Sequence, residues 1–394
     1  MSRKTNYTIP LSIPEINGNE WKYVKECIDT GWVSHAGKYV YEFEDKIKKY
    51  TGAKHAIACI NGTAALHISL IVAGVSYGDE VIVPSLTFVA PVNTIKYVGA
   101  EPLFMDCDDY LGIDVEKTKE FIEKECIYKN GKLTNKISGK TIKAIMPVHI
   151  FGNPVNIEAL GCLCRKYKLA LIEDATESLG SLYTTGVLKG KLTGTVGDFG
   201  CLSFNGNKII TSGGGGMLLI NDDNLAKRAG YLTTQAKDDP IRYVRNEVGY
   251  TYRLSNLQAA IGVAQLEKLP QTIKTKKKNH KKYKEGLAGI EGLWLMDSPE
   301  GTDANYWFYS LLIDSNKFGL DRDNLMEKLE AAGIQTRPVW KPNHLQKPYQ
   351  HCQHYKIEKT LKYWKQILNL PCSVSLTAEE LNYVVEMIKS IKRS

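Results

Sequence analysis

Between residues 55 and 225 short, wholly apolar runs alternate with stretches whose apolar residues recur at helical spacing. The runs at 55–60 (HAIACI), 80–83 (EVIV), 102–105 (PLFM), 144–148 (AIMPV), 169–172 (LALI), 200–204 (GCLSF) and 217–220 (MLLI) each read as a strand. Their lack of polar alternation predicts strands buried on both faces. Residues 64–73 and 156–167 carry helical patterns between them. Such alternation predicts an α/β fold, a mostly parallel sheet flanked by helices. Ligands of these sheets bind beyond the carboxyl ends of the strands, so chemistry is expected there.

A helical region runs from Ser255 to about Leu287, with a break expected at Pro270. Beyond it, residues 306–313 (YWFYSLLI) read as a strand, 322–332 as a helix and 379–390 as a terminal helix. The expected organisation is a large domain over 1–254, an interdomain helical region over 255–285 and a smaller α+β domain over 286–394.

Composition narrows the classes. Of 394 residues, 43% are hydrophobic and 24% charged, which excludes collagen, low-complexity disorder and a disulfide-stapled miniprotein. The net charge of +8 concentrates in seven lysines between Lys274 and Lys284. No aromatic interleaving accompanies them, so a solvated helix face is expected, with neither nucleic acid nor membrane as partner. Nine cysteines without a C-x-x-C pair read as free thiols of a reducing cytoplasm. Cys162 and Cys164 should face different ways on one helix. The N-terminus carries no apolar signal region, and no run of about 18 apolar residues is present. His344, His351 and His354 are not read as metal ligands, and no metal site is expected.

Three features carry candidate chemistry. Asp174 follows the buried strand LALIE, where a carboxylate needs a cation or several donors, unless it simply caps the next helix. Lys208 lies in SFNGNKIITSGGGGM between isoleucines and glycines. A desolvated lysine shifts toward the neutral amine that attacks carbonyls. The glycine run lacks the order of a nucleotide P-loop. Asn61-Gly62-Thr63-Ala64 joins a strand to a helix N-terminus, a ready anion site. Phosphate cradle, strand-end acid and lysine together match the needs of pyridoxal phosphate.

With these residues in view, the chain resembles the DegT/DnrJ/EryC1/StrS sugar aminotransferases, which have the aspartate-aminotransferase (type I) pyridoxal phosphate fold. The resemblance runs from GWVSHAGKYVYEFE through NGTAALHISL, PSLTFVAPVNTI, EDATESLGS and GNKIITSGGGGM to GYTYRLSNLQAAIGVAQL. It implies that Lys208 carries the cofactor and Asp174 pairs with its pyridine nitrogen. Gly62, Thr63 and Ala64 would hold the phosphate, with Ser203 adding a hydroxyl. Phe88 would stack on the ring, or else be a core aromatic. Glu177 would sit near the ring hydroxyl, or cap the following helix.

The family segment usually reads G-Y-N-Y-R, its Asn reaching the partner's phosphate. Here Thr251 replaces that Asn, and Arg253 is the expected cationic contact in a homodimer with shared sites. Ser34, Gly37, Arg337, Trp340, Lys341 and His344 are the substrate candidates, against packing or surface roles. The implied reaction moves the amine of L-glutamate to C4 of a nucleotide-linked 4-keto-6-deoxy sugar for a bacterial surface glycan. The GNKIITSGGGGM and RPVWKPNHLQKPY segments most resemble the branch using UDP-linked N-acetylhexosamines, the legionaminic-acid type. A GDP- or dTDP-linked, perosamine-like substrate is the alternative. A PLP-dependent sugar dehydratase, in which the lysine is replaced by histidine, is disfavoured by Lys208. A non-catalytic regulatory protein of this fold is disfavoured by the intact Lys208 and Asp174.

Overall fold

The apolar runs form strands within a residue or two of where the pattern puts them, except that the 144–148 run forms its strand earlier, at Thr141–Ile145. A computed structural model describes residues 9–393, so the first eight residues of the N-terminal segment considered above lie outside the described part. In chain order the strands are β1 (His55–Cys59), β2 (Glu80–Pro84), β3 (Glu101–Met105), β4 (Cys126–Lys129), β5 (Lys132–Asn135), β6 (Thr141–Ile145), β7 (Ala170–Asp174) and β8 (Leu182–Tyr183). Then follow β9 (Phe199–Ser203), β10 (Gly216–Ile220), β11 (Leu293–Leu295), β12 (Thr302–Asp303), β13 (Tyr309–Ile313), β14 (Arg337–Pro338), β15 (His354–Tyr355) and β16 (Ile367–Leu370).

A ten-stranded sheet runs in the order β1-β10-β9-β7-β6-β2-β3-β15, with the β4–β5 hairpin attached to β6. From β9 to β15 every pair on this path is parallel, and only β10 runs against its neighbours. The carboxyl ends of β1, β2, β7 and β9 therefore emerge on one edge.

Side chains leave β10 alternately. Leu218 and Ile220 pack toward the helix Gly62–Val72, while Met217 and Leu219 pack toward Phe43, Val263 and Leu269 on the other face. A Cβ on Gly262 would come within 2.7 Å of the Phe43 ring, so the helices there touch at closest approach. Residues 293–370 supply a second, antiparallel sheet in the order β11-β13-β16-β14. Its core includes Tyr283, Tyr309, Leu311, Leu368 and Val384.

Two expectations change here. The helix Asn256–Gly286 runs unbroken through Pro270. Proline forfeits one backbone bond, at a cost of roughly 3 kcal/mol. Ala259, Val263, Leu266, Leu269 and Ile273 are buried along its length, and that packing overrides the local penalty. Ser255 and Gln258 close a capping box at its start. The lysine run is also not wholly solvated. Lys276 is 3% exposed and donates to the carbonyls of Trp307 (2.7 Å) and Cys372 (2.6 Å). All nine cysteines are free thiols, and Cys162 is exposed where Cys164 is buried. Among the described residues no helix is long and apolar enough to cross a membrane.

Candidate active site

A cleft of about 430 Å³ opens over the common carboxyl edge of β1, β7 and β9. Gly62, Thr63, Phe88, Glu177, Ser203, Lys208, Arg337 and Trp340 all line it.

Asn61 caps the helix Gly62–Val72, accepting from the amide of Ala64 at 2.7 Å. The expected phosphate contact of Ala64 is thus already committed within the protein. Gly62 and Thr63 line the cleft in the first turn of that helix, where backbone amides have no intrahelical acceptor. A Cβ on Gly62 would lie 2.9 Å from the Ser203 Cβ and 3.0 Å from the Thr176 methyl. Any side chain there would fill the cradle. The glycine run closes it from behind: Gly215 has φ +109° and bridges to Asn61, and a Cβ on Gly216 would strike the Asn61 backbone.

Asp174 ends β7 at 2% exposure. Its Oδ1 accepts from the Thr176 amide at 3.1 Å, and the Thr176 side chain also hydrogen-bonds the carboxylate. Burial pushes its carboxyl above the ordinary value, with Thr176 and the charge of Lys208 pulling partly back. Lys208 Nζ lies 3.5 Å from Glu177 Oε1 and 4.0 Å from the centre of the Trp307 ring. Glu177 Oε2 accepts from the Phe151 amide at 2.8 Å, and burial pushes that carboxyl up to about 7. Glu177 therefore faces the lysine from inside the cleft and caps no helix. Phe88 is 50% exposed, so it is no core aromatic; its ring is 5.8 Å from that of Trp340.

Pyridoxal phosphate fits these residues. A buried carboxylate partnered only by Thr176 suits a protonated ring nitrogen, the helix end suits a phosphate, and Lys208 supplies the amine.

Several expected contacts lie elsewhere. His344 is buried and its Nδ1 meets Ser85 Oγ at 2.5 Å. Burial lowers its pKa to about 4, so it brings no charge to a diphosphate; it ties its segment to the end of β2. Lys341 is exposed, does not line the cleft, and uses its carbonyl to accept from Gln346. Gly37 caps the helix Lys38–Thr51 against Asn256, and the Ser34 carbonyl accepts the Asn256 amide at 2.8 Å. Neither touches the cleft of its own chain. Arg253 is paired with Glu44 at 2.7 Å, so its charge is already balanced. Thr251 is exposed and accepts from Gln235 Nε2 at 3.0 Å.

The sequence reading missed Trp307, placed in a strand. The strand begins only at Tyr309, and a turn with φ +51° at Tyr306 delivers Trp307 to the lysine. Trp307 Nε1 donates to the Asn207 carbonyl at 2.6 Å, gripping the residue before Lys208. One aromatic among several in YWFY gave no local signal for this.

The profile of the DegT/DnrJ/EryC1/StrS aminotransferase family matches residues 14–389. The GDP-perosamine synthase of Vibrio cholerae is 39% identical, covering 97% of this chain and 98% of the relative. That of Caulobacter vibrioides is 36% identical over 97% and 98%. A solved DegT DnrJ EryC1 StrS aminotransferase from Brucella abortus superposes with a TM-score of 0.85 at 27% identity, covering 95% and 96% of the two chains. By that match over most of its length and by these relatives, the chain belongs to the DegT/DnrJ/EryC1/StrS aminotransferase family and is a pyridoxal phosphate-dependent enzyme.

Proposed function

We propose that the protein transfers the amino group of L-glutamate to C4 of a nucleotide-linked 4-keto-6-deoxyhexose. The observation that carries this is the meeting of Lys208 and the Gly62–Thr63 helix end in one open cleft, with Asp174 buried behind cleft-lining Thr176, which it accepts from. Pyridoxal phosphate, when bound, supplies the electron sink for the pair left as a proton departs the carbon bearing the amine. The Asp174 carboxylate would keep the pyridine nitrogen protonated. The Gly62–Thr63 helix end and the Ser203 hydroxyl would bind the phosphate. Lys208 Nζ would take the proton from the substrate carbon and return it to the carbon on the other side of the amine nitrogen, acting as base and then acid. Glu177 Oε1 at 3.5 Å and the Trp307 ring at 4.0 Å flank the Lys208 amine and fix its position for that transfer.

The GDP-linked acceptor now stands first, because the relatives above at 36–39% identity are GDP-perosamine synthases. A UDP-linked 2-acetamido sugar, the resemblance of the GNKIITSGGGGM segment, is the second reading. Arg337 and Trp340 on the cleft rim would meet the nucleotide or its diphosphate. We further propose a homodimer in which exposed Thr251, rather than the paired Arg253, faces the partner's phosphate.

The test is incubation with glutamate and GDP-, UDP- and dTDP-linked 4-keto-6-deoxy sugars, followed by mass analysis. An aminated GDP product at the highest kcat/KM is expected; amination of none of the panel would overturn the reading. Borohydride should fix the cofactor covalently on Lys208, and Lys208→Ala should carry none. Cofactor found on another lysine would refute the assignment.

A further inference from the structure

The HCQH run at 351–354 leads into β15, which adds in parallel to β3 with His354 opposite Phe104 and Tyr355 opposite Met105. The Gln353 carbonyl accepts the Phe104 amide at 2.9 Å. This pairing lays His351 and Cys352 against Glu101, the first residue of β3. Cys352 Sγ is 3.6 Å from Glu101 Oε2, across 251 residues of chain. It is also 3.6 Å from His351 Nε2, and that nitrogen is 3.9 Å from Glu101 Oε2.

These edges are those of a small metal's coordination shell. Tetrahedral zinc, with bonds of about 2.3 Å to sulfur and about 2.0–2.1 Å to nitrogen and oxygen, separates its ligands by roughly 3.3–3.6 Å. Two edges match, and closing the third asks only a side-chain adjustment of an exposed histidine. The sulfur belongs to a residue only 6% exposed, whereas the His351 side chain is 65% exposed, so the fourth position opens to water. Glu101 Oε1 accepts from Lys96 Nζ at 2.8 Å, which orients the carboxylate and leaves Oε2 toward the sulfur. A thiolate with one imidazole and one carboxylate selects a thiophilic cation over calcium or magnesium.

We propose that Glu101, His351 and Cys352 form a zinc site completed by water, clamping the segment before β15 to the edge of the large sheet. The clamp bears on the cleft through the chain just upstream. Asn343 Nδ2 donates to the carbonyls of Ser85 and Thr87, beside cleft-lining Phe88. Zinc at the far end of this short segment would stiffen that rim. The inference is independent of which sugar nucleotide is used.

The test uses chelator-treated holoenzyme titrated with cobalt(II), then with zinc(II). One cobalt per chain is expected, with a sulfur-to-metal charge-transfer band and tetrahedral visible bands beyond the cofactor's absorption. Zinc should displace it and raise Tm. Cys352→Ser should abolish the charge-transfer band and weaken zinc binding at least tenfold, and Glu101→Gln should weaken it as well. Cys162→Ser, altering the exposed thiol, should leave the band intact. Absence of the band in the unaltered enzyme, or its survival in Cys352→Ser, would overturn the proposal.

Discussion

Glu173 and Asp174 are adjacent carboxylates at the end of one strand, both essentially without solvent contact, yet they sit in opposite circumstances. Strand geometry sends them to opposite faces. Glu173 accepts from His149 Nε2 (2.9 Å) and from the amides of Gly194 (2.9 Å), Val196 (2.8 Å) and Gly197 (2.6 Å). His149 Nδ1 accepts the Val155 amide, so the ring's proton is on Nε2, where Glu173 meets it. Burial alone would raise the Glu173 carboxyl, but these donors outweigh it and hold it below the ordinary value. Asp174 has one backbone donor, and burial raises it. Burial alone does not decide which way a buried acid shifts; the number of donors that reach it does. Two lysines, one buried and one half-buried, repeat the contrast. Lys276 is locked to two carbonyls, while Lys208 has a carboxylate at 3.5 Å and an aromatic face at 4.0 Å.

The widest gap between the two acids should appear in turnover. Asp174→Asn should lower kcat by on the order of 10²–10⁴-fold, the range for a positioned proton-handling group. In the cofactor-free protein the same change should raise Tm at neutral pH, because it removes a buried, under-partnered charge. A fall in the Tm of that form would break the comparison.

Glu173→Gln should do the reverse. Its amide NH₂ cannot accept what the loop amides donate, so stability should fall by about 3–5 kcal/mol in denaturant titration. The pH dependence follows the depressed carboxyl. The contribution of Glu173 is complete above its unfolded value of 4.5 and is lost as pH falls through the folded one. The acid limb of the Tm profile should therefore flatten in the variant, and an unchanged limb would refute the assignment.

Glu177 gives the smallest and most discriminating effect. Its carboxyl is raised from 4.5 to about 7, so its contribution is full below pH 4.5 and is lost as pH rises through 7. Glu177→Gln mimics the protonated acid and keeps an acceptor for the Phe151 amide. Above pH 7 the cofactor-free variant should be more stable than the unaltered protein by about 2–3 kcal/mol, with the difference vanishing near pH 4.5. Equal Tm values across that range would place Glu177 with Glu173, as a satisfied structural acid.

What the chain declares locally is the part with a period. Buried strands of four to five residues, helices with one apolar stripe, and the glycine-bounded lysine are written in adjacent residues, so β1, β7, β9 and β10, Asp174 and Lys208 were legible. Partner choice is not local. Arg253 looked like a free cation until Glu44 was brought to 2.7 Å, and His344 looked like a ligand until it met Ser85. Pro270 predicted a break that packing along the helix overrode. Trp307 reached the lysine through one turn with positive φ, and Glu101 reached His351 and Cys352 through a two-residue strand. Hydrophobic periodicity specifies which face of an element is buried. Only the assembled elements decide which polar group is left without a partner, and in this protein the chemistry is built on those groups.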